Sequence, residues 1–314
     1  MQKKYILRWQ SLFILFSFMS AFFLAGCQAY SIFSDRAVED YRDWKDTDTD
    51  LVKRVLIGSL EVKTFYSAPE INTKITHALI GKLSQKRYEV FSVGHNGIPQ
   101  EVWQSLTPSQ QKTDSIALAT VARQYGLTAF VRYGFDDVRT ISKSSGVLWF
   151  RKVKYLAEVQ FFVEVYDAET GTKLFDEIFM FDQTLLGRDD YEELQNEKIV
   201  EIPNFDKLIQ KLGSQMGSAI VKTLNKVYWK GYVSSATDST VVFTGGAKSG
   251  FSAGKKLGVY ATRKSAVGKS GFYYRPGDLI GEIQITAVFP DRIEAKILSG
   301  KDIQIGDTVR RTSK

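Results

Sequence analysis

The hydrophobic and polar positions divide the chain into four stretches with different patterns. Residues 12–23 form an apolar run behind a short basic segment, and residues 28–50 are polar and acidic. From Lys53 onward, patterns typical of strands and helices alternate. After Trp229 only short strand patterns remain, separated by glycine-rich turns. We therefore predict an α+β protein, with a mixed α/β sheet domain followed by a small all-β barrel domain.

Three helices are predicted in the α/β part. Residues 69–83 carry apolar side chains at spacings of three and four, which places them on one helix face. Asp114 or Ser115 suits the N-cap of a second helix, and Gly126 suits its C-cap. A polar loop is predicted after residue 181, followed by a long third helix that Pro203-Asn204 caps. The residues around 94–108 are predicted to form a polar loop.

The strand predictions rest on apolar runs and on alternation. Residues 155–166 alternate most regularly, and residues 142–146 and 167–171 are predicted turns. The strands predicted in the α/β part are 54–62, 88–93, 127–135, 155–166 and 173–181. Those predicted for the barrel are 231–235, 239–244, 256–262, 279–288, 292–298 and 308–311.

The first 27 residues predict export. A basic start, an apolar middle and small residues at a cut site describe a secretory signal peptide, and the apolar run is short for a transmembrane helix. The ending Leu24-Ala25-Gly26-Cys27 resembles the lipobox of bacterial lipoproteins. The resemblance implies cleavage between Gly26 and Cys27 and acyl chains (palmitate among them) on Cys27. The alternative is that Cys27 is an ordinary small residue of a secretory leader or of a membrane anchor.

Two further observations bear on the anchor. Cys27 is the only cysteine in 314 residues, so the chain forms no internal disulfide. Gln28, rather than Asp, follows the cysteine, which by the same resemblance favours the outer membrane with the protein facing the periplasm. The predicted domains are the signal peptide (1–26), an acidic tether (27–52), the α/β module (53–228) and the barrel (229–314).

Positive charge is concentrated in the predicted barrel. The formal net charge is +7, and from Lys230 to the end there are fourteen Lys or Arg against seven Asp or Glu. These residues either make a solubilising surface or meet an anionic partner. In a periplasmic setting that partner is a cell-wall carboxylate, an acidic lipid head group or an acidic protein face, and not a nucleic acid. The candidate surface consists of Lys248, Lys255, Lys256, Arg263, Lys264, Lys269 and Arg275.

The sequence predicts no enzyme, cofactor or metal site. Its only histidines, His77 and His95, have no His or Cys at ligand spacing. A Gly-x-Ser-x-Gly nucleophile motif is absent. Gly254-Lys255 does not continue as a phosphate-binding loop, because Ser249 stands where that motif needs glycine.

The predicted barrel domain, residues 229–314, resembles the C-terminal domain of the flagellar assembly protein T family, which lines a ring around the basal body. The resemblance lies in residues 254–260, 279–288, 295–300 and 305–309. These segments share the strand pattern of a small barrel with Gly-Asp turns. It implies a fold without a reactive group.

The preceding part resembles the α/β module shared by that family's middle domain, the curli secretion lipoprotein and lipoprotein activators of penicillin-binding proteins. Residues 119–127 and 163–171 carry this resemblance, together with the first strand and helix. Unlike the flagellar family, this chain has a lipobox and no separate domain before the module.

The sequence thus favours a non-enzymatic envelope lipoprotein that is a structural or assembly component of a periplasm-spanning machine, such as the flagellar basal body ring. The alternative is a regulatory lipoprotein that binds a cell-wall synthase or the cell wall itself. Partners are the membrane, through the acyl chains on Cys27, and an envelope protein complex. Homo-oligomers are also compatible with the sequence.

Overall fold

A computed structural model describes residues 48, 50–60, 69–92, 99–106, 114–185, 187–267 and 271–312. Residues Asp48–Thr312 form one compact unit. It contains a mixed sheet with helices and a closed six-stranded antiparallel barrel, which confirms the predicted α+β fold class.

The mixed sheet has the order β2-β1-β3-β4-β5. Strand β1 is parallel to β2 and β3, while β4 and β5 follow as antiparallel neighbours. The strands are β1 Lys53–Ser59, β2 Tyr88–Ser92, β3 Ala129–Ser145, β4 Lys152–Asp167 and β5 Lys173–Thr184. The helices are α1 Pro69–Ser84, α2 Gln100–Leu106, α3 Ser115–Tyr125, α4 Arg188–Gln195 and α5 Phe205–Leu224.

Helices α1 and α5 pack together against one face of the sheet, and the long strand β4 supplies an apolar row beneath them. The two helices approach closely at Gly213, where a Cβ atom would lie 2.5 Å from the Cβ of Ala78. Helix α3 contributes to a second core with Phe130 of β3 and Trp103 of α2. Helices therefore cover both faces of the sheet's parallel part.

The predicted caps of α3 are confirmed. The Asp114 carboxylate accepts hydrogen bonds from the backbone N–H groups of Ile116 (2.9 Å) and Ala117 (3.0 Å). Gly126 ends the helix with φ of +68°, a conformation that glycine adopts without steric cost.

Three local predictions are wrong. Helix α2 lies where the sequence predicts a polar loop. It forms because Trp103 and Leu106 are buried in the core, with Trp103 packed against Gly58. Helix α4 likewise replaces a predicted polar loop, with Leu194 as its buried residue. Residues 142–145 are strand rather than turn, because main-chain pairing with β4 continues to Ser145 opposite Lys152.

The barrel has the closed order β10-β7-β6-β11-β8-β9. Its core contains Trp229, Phe243, Val259, Ile283 and Val309, so the alternating pattern of the predicted strands is confirmed. The strands are β6 Gly231–Ala236, β7 Thr240–Thr244, β8 Lys256–Val267, β9 Gly271–Val288, β10 Arg292–Gly300 and β11 Thr308–Arg310.

The residues just before β1 pack against the barrel, although the sequence places them in the acidic tether. Leu51 is 2 % exposed and belongs to the barrel core. The backbone N–H of Trp229 donates to the Asp48 carboxylate at 2.8 Å, and that of Val52 donates to the Ser249 carbonyl at 3.1 Å. Burial raises the pKa of Asp48, although the Trp229 N–H and the Arg311 charge oppose that shift.

Candidate functional site

The predicted lipidation and cleavage residues, Cys27 and Gly26, lie outside the described residues, as does His95. Their roles stay predictions from the sequence. Lys269 of the basic set also lies outside the described residues.

The structure divides the remaining basic residues among three places. Lys248 stands near the α/β sheet, where its ammonium group contacts the Glu89 carboxylate at 3.2 Å. Lys255 and Lys256 are exposed at the beginning of β8. These three residues are therefore separate from the other members of the set.

Arg263, Lys264 and Arg275 come together on the hairpin of β8 and β9. Arg263 lies directly opposite Arg275, and Lys264 lies opposite Tyr274, whose ring centroid is 5.5 Å from the Lys264 Nζ atom. Asp278 pairs with Arg263. Because neighbouring residues of a strand alternate between its faces, Arg263 and Arg275 share one face of the hairpin and Lys264 lies on the other, beside Tyr274. We call these three residues the basic hairpin.

Strand β5 is an edge of the mixed sheet, because it pairs with β4 and with no other strand among the described residues. Its inward side chains Phe175, Phe179 and Phe181 pack on the core. The outward row carries exposed apolar side chains: Leu174 is 38 % exposed, Ile178 50 % and Met180 57 %. A long edge with apolar side chains is a template for pairing with another chain.

A cavity of about 600 Å³ lies at the carboxyl ends of the parallel strands β1 and β2, where Ser59 and Ser92 line it. Its lining includes His77 and Thr76 of α1, Ser59 and Tyr133. The Tyr133 hydroxyl is hydrogen-bonded to Thr76, and burial raises the pKa of Tyr133 to about 12. Tyr133 is therefore a neutral hydrogen-bonding group at physiological pH. The remaining lining residues are Ile57, Gly58, Thr73, Ile80, Gly81, Val90 and Ser92.

A cluster of buried charges joins the α/β sheet to the barrel. Lys230 pairs with Asp167, and its Nζ atom is 3.0 Å from the Glu169 carboxylate. Thr308 donates a hydrogen bond to the other oxygen of Glu169 at 2.8 Å. Because Asp167 ends β4, Glu169 follows it, and Lys230 and Thr308 belong to the barrel side, we call this group the buried clamp.

One arginine and two tyrosine side chains complete the clamp. The Tyr228 hydroxyl donates to Glu169 at 3.2 Å and accepts from the Arg310 guanidinium at 2.6 Å. The guanidinium carbon of Arg310 lies 3.7 Å from the centroid of the Tyr260 ring. Two cations thus neutralise two carboxylates away from water, which is the condition under which buried charges are tolerated.

The charges in the clamp reinforce one another. Burial alone would raise the pKa of Glu169, but the positive charges of Lys230 and Arg310 outweigh it and lower this pKa to about 2. Burial alone would lower the pKa of Lys230, but Asp167 and Glu169 raise it well above its usual value. Glu169 and Lys230 therefore stay ionised at neutral pH.

The sequence pattern does not predict the clamp. Asp167 and Glu169 stand in a predicted hairpin turn, where acidic residues are common and need no partner. The sequence context of Lys230 is the one feature that indicates the clamp. This lysine stands between aromatic residues, in Tyr228-Trp229-Lys230-Gly231-Tyr232, at the start of a buried strand. A lysine in such a context needs a buried partner.

None of the helices in the described part of the chain is long and apolar enough to cross a membrane. Within the same residues, no group of three or more His, Cys, Asp or Glu side chains is arranged to hold a metal ion.

No protein-family model matches the chain, and no curated protein is significantly similar to it. Solved structures are similar to parts of it. The hypothetical protein CT253 from Chlamydia trachomatis is 15 % identical with a TM-score of 0.33, over 56 % of this chain and 97 % of that one. Lipoprotein GNA1162 from Neisseria meningitidis is 12 % identical with a TM-score of 0.26, over 55 % and 97 %.

A third similar structure is the PelC dodecamer from Paraburkholderia phytofirmans, at 11 % identity and a TM-score of 0.29, over 54 % of this chain and 86 % of that one. Similarities of this size support no conclusion about the activity or partners of this chain.

Proposed function

We propose that this protein is a lipid-anchored envelope protein without catalytic activity, which acts as a structural or assembly component of a larger complex. The anchor is Cys27, behind a leader with the pattern of a lipoprotein signal peptide. Several acyl chains on one residue hold a protein at a membrane far longer than a single chain does. Gln28 favours the outer membrane as its location.

The observation that carries the assembly role is the free edge of β5. The strand has twelve residues, and its outward row exposes Leu174, Ile178 and Met180 to solvent. On the neighbouring strand β4 only Phe162, opposite Ile178, extends this apolar surface, because Gln160 lies opposite Met180. A partner strand would gain main-chain hydrogen bonds along the edge and apolar contacts on the face.

The particular machine that we propose is the flagellar basal body ring. The support for this choice is the sequence resemblance of residues 254–309 and 119–171 to the flagellar assembly protein T family. The same edge would also serve a homo-oligomer, in which one copy adds its strand to the next.

A second candidate function follows from the basic hairpin. Arg263, Lys264 and Arg275 share one projecting hairpin, and Asp278 is the acidic residue that pairs within it. A surface of this kind suits a regulatory lipoprotein that contacts a cell-wall synthase or the carboxylates of the wall itself.

Site-specific photocrosslinking in cells tests the assembly role. A photoreactive amino acid replaces Ile178 or Met180, and in a matched control it replaces Ile305, an isoleucine of the barrel that is 75 % exposed. We expect protein adducts from the two β5 positions and not from position 305. Absence of adducts at both β5 positions would contradict docking at this edge.

The identity of the adducts separates the alternatives. Basal-body proteins support the flagellar ring, a wall synthase supports the regulatory function, and a second copy of this chain supports a homo-oligomer.

Metabolic labelling tests the lipid anchor. Cys27→Ala should abolish labelling by a radioactive or alkyne fatty acid. Labelling that survives this substitution would disprove the anchor.

A further inference from the structure

Strands β3 and β4 form a hairpin that extends beyond the sheet. The two strands pair from Ala129 opposite Asp167 to Ser145 opposite Lys152. Strand β5 begins to cover β4 only at Leu156, so the last part of the hairpin is a two-stranded ribbon. The ribbon ends in a tight turn, in which the Phe150 N–H donates to the Val147 carbonyl at 3.1 Å.

The end of this ribbon exposes large apolar side chains. Trp149 is 89 % exposed, Phe150 82 %, Val147 74 % and Val153 49 %. Trp149 is the most exposed large hydrophobic residue in the described part of the chain. Tryptophan and phenylalanine normally bury most of their surface, and a concentrated exposed group of this kind marks an interaction site.

Positively charged side chains flank the apolar residues, with Lys143, Lys152 and Lys154 on the face of the ribbon opposite to Val153. Lys143, Arg151, Lys152 and Lys154 are exposed on the same ribbon, and no acidic residue occurs in the sequence between Asp137 and Glu158. Lys143 pairs with Asp182. For the other three, no ion pair is found with any described residue, so their charges are available to a partner.

We propose that residues 147–154, the ribbon tip, bind the surface of an anionic lipid bilayer. Aromatic side chains are favoured at the boundary between head groups and acyl chains, and neighbouring lysine and arginine residues are attracted to anionic head groups. The ribbon end is also narrow, whereas a stable protein interface needs about 800 Å² from each partner. A lipid surface accepts a small apolar wedge with a basic rim without that requirement.

This contact is separate from the acyl anchor. Asp48 and residues 50–52 lie beside the barrel, and Val52 leads into the start of β1, which lies beside the start of β3. The ribbon tip is at the other end of β3, which has 17 residues and spans about 55 Å. The tip therefore gives the protein a second membrane contact, either with the membrane that holds Cys27 or with an opposing one.

A fluorescent probe at the tip tests this proposal. A Val147→Cys substitution carries an environment-sensitive fluorophore, and Ile305→Cys on the barrel carries it as the matched control. The full chain is reconstituted in vesicles of phosphatidylcholine and phosphatidylglycerol. Nitroxide-labelled lipid is placed in the host vesicles or in a second, added population.

We expect a blue shift and nitroxide quenching of the probe at position 147, with neither at position 305. Quenching by the host vesicles or by the added ones supports the proposal and identifies which membrane is contacted. A probe at position 147 that stays in water with both populations would overturn it. So would protection of that position only after a protein partner is added.

Charge and apolar variants separate the two parts of the site. Reversal of the three unpaired charges (Arg151→Glu, Lys152→Glu, Lys154→Glu) should weaken association with anionic vesicles on the order of a hundredfold. Trp149→Ser with Phe150→Ser should remove the quenching even on anionic vesicles. The pair Lys255→Glu and Lys256→Glu on the barrel is the control for net charge, and unchanged quenching is expected from it.

Discussion

Lys230 lies among aromatic side chains immediately before β6, yet its ammonium group has two carboxylate partners. Both Asp167 and Glu169 come from the end of β4 and the turn after it, more than 60 residues earlier in the chain. The buried clamp is therefore a tertiary contact between single residues. Removal of one member leaves the others charged and desolvated, which costs more than the pair contributes.

Lys230→Met should destabilise the protein by about 3–5 kcal/mol, because Asp167 would lose its paired cation and Glu169 would keep only Arg310 as a neighbouring buried cation. The change is measured as the loss of unfolding free energy in chemical denaturation. Lys207→Met, at an exposed lysine of α5, is the control and should stay within about 0.5 kcal/mol of the parent. Equal stability of the two variants would show that the clamp does not hold the fold.

The lowered pKa of Glu169 predicts how the stability of the fold depends on pH. Its folded-state pKa is lowered from 4.5 to about 2, so the folded state binds fewer protons than the unfolded state between these values. The stabilisation is complete above pH 4.5 and is lost as the pH falls toward 2. Glu169→Gln should therefore lower the melting temperature at neutral pH. This difference from the parent should shrink through the same window, and a constant difference would contradict the shift.

Some helices and strands follow from the periodic pattern of apolar residues, whereas helix α2 depends on tertiary packing. Helices α1, α3 and α5 and strand β4 follow the sequence pattern, because each buries one continuous apolar face. Helix α2 has only seven residues and no such pattern. It exists because Trp103 packs edge-on against Phe130, at 5.4 Å between ring centroids, over the space that Gly58 leaves open.

Gly58→Ala tests this account of α2. The new Cβ atom would lie 2.0 Å from the Trp103 ring, so Trp103 must move and the free energy of unfolding should fall by about 1–3 kcal/mol. Gly81→Ala in α1 is the matched control, because nothing lies within 4 Å of its Cβ position. There the same substitution should stabilise the helix by about 0.5–1 kcal/mol. Effects of one sign at both glycines would contradict the packing argument.

At the scale of the whole molecule, the barrel and the mixed sheet share residues. Tyr232 of β6 is fully buried in the core that contains Phe130, and its hydroxyl donates to the Leu127 carbonyl at 3.1 Å. Arg123 of α3 donates to the Gly306 carbonyl at 3.1 Å, and Leu51 enters the barrel core. These contacts and the buried clamp link the two parts across a wide surface.

We therefore expect one cooperative unfolding transition for the purified protein. Near-ultraviolet circular dichroism and the fluorescence of Trp229 in the barrel and of Trp103 beside the sheet should report the same midpoint. To separate the two signals, Trp103→Phe and Trp229→Phe are measured individually. Two midpoints that differ by more than the experimental error would show that the barrel unfolds independently.

The sequence by itself determined the order of the strands and of helices α1, α3 and α5, the change from an α/β pattern to an all-β pattern near Trp229, and the caps of α3. Local periodicity and capping chemistry suffice for these, since they depend on neighbouring residues alone. The tertiary structure decided the free edge of β5, the buried clamp and the grouping of Arg263, Lys264 and Arg275. Each of these depends on strand order or register, which brings together residues that the chain places far apart.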